Sequence, residues 1–488
     1  MPIFSPPVLP YDILQYIVEA LHDDSKSLAS CCLLNKEVNH AASATLYRKL
    51  DLRIGIYMGP GRGFGDTQLS DASQVLSSAC LSHNRGLVTK VVLRGSFYKT
   101  GLKSQQLIRS FELFNNLKSI KLNLHRGYVS KDSCEVDSDC LASILKTLRE
   151  RNATLHEIVL NSFAFKDPDE IKPLLRQDVR TFVLIKNRTF GHEARLDWLD
   201  VVRNCKGLND LQIRTTLWTP PSFTCLPQSV ERALLHLPGL RSLTLGLLIA
   251  WSDEHTFEVL SQLPHLEDLC LEYVFLTGPL SHRYVAQKLP ITFTPLPRTI
   301  KSFTLRYKAL SENSHKIPTV HDICKWIKHA ISRCSLERLS YHPFYQPRTK
   351  NPKPKPSWDI LVDHLADKHG GTLRELDLRA GFVRRRSVQK LLMKCRKMEE
   401  LEIATSYGAL FTFVRYALNV PALRKAQFEL RTQRRDRGKR DPVISTEEAA
   451  CLIKATPGLR RLIVNDDEFR ASWALDENGV LFHTVEHN

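Results

Sequence analysis

Asp363, His364 and His369 form a local cluster of side chains able to ligate a metal or move a proton. An exposed polar helix accounts for the trio more simply. Gly59-Pro60-Gly61-Arg62-Gly63-Phe64-Gly65 is dense in glycine in the manner of a phosphate cradle. It lacks G-x-x-x-x-G-K-[ST] and does not follow G-x-G-x-x-G, so it reads as a flexible loop after a strand over 50–54. No H-E-x-x-H, G-x-S-x-G or C-x-x-C occurs, and no Cys-His or Ser-His-Asp set is visible. Binding is a better first expectation than catalysis, and no metal or cofactor is expected.

The bulk properties narrow the kind of partner. The 488 residues carry 69 Lys and Arg against 52 Asp and Glu, a formal charge of +17, and 43% are hydrophobic. That supports a sizeable core and favours acidic partners: nucleic acid, acidic or phosphorylated protein segments, or anionic lipid. The twelve cysteines show no disulfide or zinc spacing, which suits a reducing compartment. Residues 1–10 lack a basic region followed by an apolar core, and no run of about eighteen apolar residues exists. The expected location is the cytoplasm, the nucleus or both, with no membrane span. Asn152-Ala153-Thr154 and Asn187-Arg188-Thr189 are then chance matches to a glycosylation acceptor.

What must position any binding residues is a repeat. An apolar residue, two free positions, an apolar residue, one free position and an apolar residue recur thirteen times. Leu117-Lys118-Ser119-Ile120-Lys121-Leu122 and Leu373-Arg374-Glu375-Leu376-Asp377-Leu378 are clean copies. The cells begin at Val88, Leu117, Leu155, Val179, Leu208, Leu240, Leu266, Ile300, Leu336, Leu373, Met398, Leu423 and Leu459, spaced 24 to 38 residues apart. Period-two alternation inside each cell predicts a short strand with one buried face. Between cells, Leu107, Phe111 and Phe114 share a helical face, as do Leu141, Ile144 and Leu148. Val320, Ile323, Ile327 and Ile331 form another, and Val388, Leu391 and Leu392 a fourth. Ser445-Thr446-Glu447-Glu448 reads as a capping box. The pattern resembles an irregular leucine-rich-repeat solenoid, an α/β horseshoe with a parallel sheet on the concave face and helices outside. A doubly wound α/β domain also alternates strand and helix, but the fixed cell and its count favour the repeat.

The free position inside each cell, and the one following it, should line the exposed sheet face. Arg94, Lys121, Asn123, Gln212, Arg214, Thr244, Glu272, Arg306, Asp377, Arg379, Glu402 and Glu429 fall there. Arg94, Lys121, Arg214, Glu272, Arg306, Asp377 and Arg379 are the candidate substrate contacts, in a stripe basic at first and more acidic toward the C-terminal cells. Two segments interrupt the repeat: residues 346–357 (QPRTKNPKPKPS), an extended loop, and 431–441 (RTQRRDRGKRD), a basic run reading as a solvated loop. Arg384-Arg385-Arg386 stands at a helix start, where cations oppose the dipole and point to an acidic contact.

The first fifty residues hold no cell. Pro10 suits a helix's first turn and Asp12 its positive end. Ile13, Ile17 and Leu21 form an apolar ridge, with Leu14 and Val18 beside it. Three short helices in such a length bury too little apolar surface to stand alone. The segment resembles the F-box, especially that of fungal F-box proteins. Leu9-Pro10-Tyr11-Asp12-Ile13-Leu14 opens it, Leu28-Ala29-Ser30-Cys31-Cys32-Leu33-Leu34-Asn35-Lys36 fits its middle, and Ala41-Ala42-Ser43-Ala44-Thr45-Leu46-Tyr47-Arg48 closes it. Val38 stands where the family has Trp, a loss of aromatic area that softens adaptor binding.

The resemblance implies an F-box over 8–50, a linker and repeat cap over 51–87, about thirteen repeats over 88–466, and a cap or tail over 467–488. Leu9, Pro10, Ile13, Leu14, Ile17, Leu21, Leu28, Leu34 and Val38 would then bind a Skp-type adaptor or support the motif's own core. The chain would be a non-catalytic substrate receptor of an SCF-type (cullin-RING) ubiquitin ligase, its repeats holding an acidic or phosphorylated client protein. A leucine-rich-repeat scaffold without a ligase is the alternative, and a basic RNA-binding solenoid a weaker one, since no stacking-aromatic motif supports nucleic acid.

Overall fold

Each of the thirteen cells carries one β-strand, and each strand begins on the third residue of its cell. They are seen in a computed structural model that describes residues 10–21, 24–53, 67–95, 104–124, 138–151, 155–161, 174–186, 202–203, 205–215, 227–246, 253–275, 291, 293–309, 320–343, 357–431, 443–475 and 481–487. Of the three apolar positions in every cell, only Ile213 escapes full burial. At about 1.5–3 kcal/mol for each large apolar side chain removed from water, this stripe is the main force behind the sheet.

The chain divides into two compact units, Met1–Gly239 and Leu240–Asn488. The first opens with α1 (Tyr11–Ala20), α2 (Ser25–Cys31) and α3 (Lys36–Arg48). Six strands follow among its described residues: β1 (Lys49–Arg53), β2 (Lys90–Gly95), β3 (Ser119–Leu124), β4 (Glu157–Asn161), β5 (Thr181–Lys186) and β6 (Asp210–Thr215). They pair in parallel in chain order. Helices α4 (Thr67–Ala79), α5 (Ser104–Leu113), α6 (Ser138–Arg151) and α7 (Pro227–Leu235) also lie among the described residues of the unit. Leu107, Phe111 and Phe114 are buried as their spacing predicts, and Ile144 and Leu148 likewise.

The second unit runs from β7 (Ser242–Gly246) through β8 (Asp268–Phe275), β9 (Ser302–Ala309), β10 (Arg338–Pro343), β11 (Glu375–Val383), β12 (Glu400–Thr405) and β13 (Lys425–Leu430) to β14 (Arg461–Val464), all parallel. Between the strands lie α8 (Asp253–Ser261), α9 (Val320–Ala330), α10 (Asp359–His369), α11 (Arg385–Lys394), α12 (Tyr407–Tyr416) and α13 (Thr446–Ala455). Ser445 caps α13 and Glu448 returns the bond, the reciprocal capping box that the sequence predicts. Beyond β14 the direction reverses. Asn465 takes a left-handed φ of 57°, which asparagine tolerates. Then β15 (Asp467–Leu475) and β16 (Leu481–His487) add as antiparallel strands.

The repeat is written in the backbone as well. The carbonyl of the second residue of one cell accepts amides from the second and third residues of the next. Thr89 O receives Lys118 N at 2.8 Å and Ser119 N at 3.0 Å, and Glu399 O receives Arg424 N and Lys425 N at 2.8 and 3.2 Å. The two interrupting segments lie outside the described residues except at their edges. Ser357 bridges Phe382, and Trp358 next to it is fully buried beside Tyr341. Only glycine fits at 381, because a Cβ there would sit 1.3 Å from Trp358 Nε1.

Candidate interaction surfaces

The three N-terminal helices close a small core of their own. Pro10 stands at the N-cap of α1, one residue before the first turn that its type suits, and Asp12 faces the positive end. Asp24 caps α2 through Lys26 N and Ser27 N, and Asn35 caps α3 through Val38 N at 2.9 Å. Val18, Leu28, Ala41 and Ala42 form the core, with Leu21, Cys31, Cys32 and Leu46 packed against it. Tyr11 Oη and His40 Nδ1, 2.7 Å apart, and Arg48 to Glu19 at 2.9 Å, tie α1 to α3. The hydrogen bond from Arg48 holds the Glu19 carboxyl below its ordinary range.

Part of what this core leaves outside is apolar. Ile13 is 48% exposed, Ile17 52% and Leu34 71%, and Tyr16 at 75% and Leu33 at 87% join them. Ile13, Tyr16 and Ile17 share one helical face by spacing. Leu14 and Leu21 are half-buried, Pro10 is exposed, and Leu9 lies outside the described residues. Leu28 and Val38 are both buried, a correction to an adaptor contact, and Leu28 lies in the three-helix core instead. The predicted ridge Ile13–Ile17–Leu21 therefore splits, since each step of four residues turns the helix by about 40° and Leu21 rotates inward. Tyr16 and Leu33 were missed, although an aromatic three residues after Ile13 and the doublet Leu33-Leu34 were there to be read.

On the sheet, the stripe residues occupy adjacent strands in register. Arg94 makes a bidentate pair with Asp51 at 2.7 and 2.8 Å. Lys121 and Arg214 are half-buried. Burial raises the pKa of Glu157, but bonds from Lys90 at 2.8 Å and from Ser119 outweigh it and leave a net lowering. In the second unit the carboxylates of Glu272, Asp377 and Glu402 are covered. Glu272 is only 4% exposed and pairs with Arg306 at 3.1 Å, against the expectation of an open ligand group. Strands about 4.8 Å apart let a long side chain lie over its shorter neighbour. Arg379 bonds Asp377 at 2.8 Å and Glu402 at 3.0 Å, while Lys425 reaches Glu402 and Glu400. These bonds, that to Asp377 first, hold the Arg379 guanidinium still more firmly charged. Asp377 and Arg379 are thus largely spent on each other.

No family model matches this chain, and no curated protein does. Among solved structures it is similar to one described as the crystal structure of the Rad7 and Elc1 complex in yeast. That likeness has 12% identity and a TM-score of 0.34, over 96% of this chain and 89% of that one.

His369 is 2% exposed and His364 half-buried, their rings in edge contact at 5.6 Å, so the expected exposed polar helix is corrected. Burial, ahead of nearby positive charge, lowers both imidazoles to about 4, which keeps them neutral. No group of three or more His, Cys, Asp or Glu is placed to hold a metal among the described residues. The acidic partner expected for the arginine run is internal: Asp359 accepts from Arg384 N at 2.8 Å and pairs with its guanidinium at 3.3 Å. No helix among the described residues is long and apolar enough to cross a membrane.

Proposed function

We propose that this chain is a non-catalytic substrate receptor of an SCF-type ubiquitin ligase. Its three N-terminal helices dock on a Skp-type adaptor, and its repeats hold the client protein. The observation that carries this reading is the apolar surface of a module whose core is already closed. Ile13, Tyr16, Ile17, Leu33 and Leu34 stay in water although Val18, Leu28, Ala41 and Ala42 are satisfied within. Exposed apolar groups on so small a unit mark a partner site. The F-box-like residues at 9–14, 28–36 and 41–48 support a Skp-type adaptor as that partner. An apolar helix face laid into a partner's groove is an ordinary recognition mode. The chain then contributes proximity between client and ubiquitin-loaded enzyme, with no bond chemistry of its own.

The test is capture of purified Skp-type adaptor by the full chain. Ile13→Asp with Ile17→Asp should abolish capture while leaving the circular dichroism spectrum unchanged. Val18 and Leu28 still close the core in that variant. Undiminished capture by a folded double variant sinks the proposal.

A further inference from the structure

The strand faces of the two units carry different charge. Outside the buried apolar stripe lie four positions: the third and fifth of each cell and the residue after it, on the strand face, and the second, just before the strand. Across the five cells of the first unit these positions hold six cations, Lys90, Arg94, Lys118, Lys121, Arg180 and Arg214, against the carboxylates Glu157 and Asp210. Across the eight cells of the second unit they hold ten cations and ten carboxylates. There the second positions alternate in sign from Arg241 through Glu267, Lys301, Glu337 and Arg374 to Glu399, with Lys301 to Glu267 and Arg374 to Glu399 both at 2.8 Å.

Partners repeat the contrast. Of the six cations in the first unit, Lys90, on Glu157, and Arg94, on Asp51, form ion pairs among the described residues. Lys118 and Arg180 are exposed and make no side-chain bond among the described residues. Lys121 has only a through-space attraction to Glu157, and Arg214 Nε lacks a hydrogen-bond partner among the described residues. Four such cations, Lys121 and Arg214 on strands and Lys118 and Arg180 just before them, cost stability through mutual repulsion unless an anion comes to them.

We infer that the strand face of β2 to β6 binds an extended, carboxylate-rich segment of a partner protein, which on the receptor reading proposed above is the client. Such a segment needs about six residues to reach from β2 to β6, at roughly 4.8 Å per strand and 3.3 Å per residue. At the fifth positions Val92, Val159 and Val183 are buried, so contact with the segment falls to the charged residues around them. RNA fits less well. The four positions in these cells hold no Phe, Tyr or Trp for stacking, and Glu157 and Asp210 would face a continuous phosphate chain.

The experiment is fluorescence anisotropy with the full chain and labelled probes of about ten residues. These are an alternating Glu/Val peptide, the same peptide with Ser for Glu, the same with phosphoserine for Glu, and a single-stranded RNA. The Glu/Val peptide should bind and the Ser/Val peptide should not. Lys118→Glu with Lys121→Glu should weaken binding at least about tenfold, while Arg424→Glu with Arg460→Glu, the same charge change in the second unit, should leave it within about twofold. Equal weakening by both pairs, no binding of the Glu/Val peptide, or tighter binding of phosphopeptide or RNA overturns the inference. Adaptor capture separates this result from the receptor reading. Lys118→Glu with Lys121→Glu should retain it, and Ile13→Asp with Ile17→Asp should lose it while still binding peptide.

Discussion

The N-terminal helices and the repeats use apolar side chains in opposite ways. In the repeats the three apolar positions of each cell go inward, Ile213 alone falling short of full burial. In the helices α1 to α3, four residues make the core while Ile13, Tyr16, Ile17, Leu33 and Leu34 face water. A solenoid buries each repeat against the next, so its apolar pattern is answered by more of the same chain. A three-helix unit has no such neighbour on its outer face, and what it exposes there is left for another molecule.

That contrast can be broken or sharpened by substitution. Phe428, fully buried against Phe413 at 5.1 Å, should lose about 3–5 kcal/mol on replacement by Ala, read as a shift in urea midpoint. His364 and His369 sharpen the picture of a dry repeat core. Their folded values of about 4 lie below the ordinary 6.5, so protons prefer the unfolded chain. Stability is full above about pH 6.5 and is lost as the pH falls toward about 4. The loss is on the order of 3 kcal/mol for the pair, mostly from His369 because His364 is half-solvated. Replacing both with Gln should flatten that slope in pH-dependent denaturation.

Leu28→Ala, inside the small core, should cost about 2 kcal/mol or more, with adaptor capture falling as α2 loosens. Ser445→Ala removes one side of the α13 capping box and should cost about 1 kcal/mol. Ile17→Ala should change stability by less than about 0.5 kcal/mol. A cost near that of Leu28→Ala would mean that Ile17 packs within the chain, and the contrast between the two regions would fail.

Much of this was legible in the residues themselves. The cells place their strands because alternation of apolar and polar positions is a local property, and Leu107, Phe111 and Phe114 announce their helix for the same reason. Glu272 was not legible as a covered carboxylate, because Arg306, which covers it, comes from the next strand. His364 and His369 look polar in a row of letters, yet His369 turns inward on α10. The antiparallel β15 and β16 carry no copy of the cell, so their pairing with β14 could not be seen in advance.

Periodicity alone determined the repeating strands and their buried faces, since each follows from neighbours along one backbone. Only the folded chain decided which apolar residues of α1 to α3 remain for a partner and which charges are already matched. Both depend on distances between residues far apart in sequence, and those exist only once the strands and helices are packed.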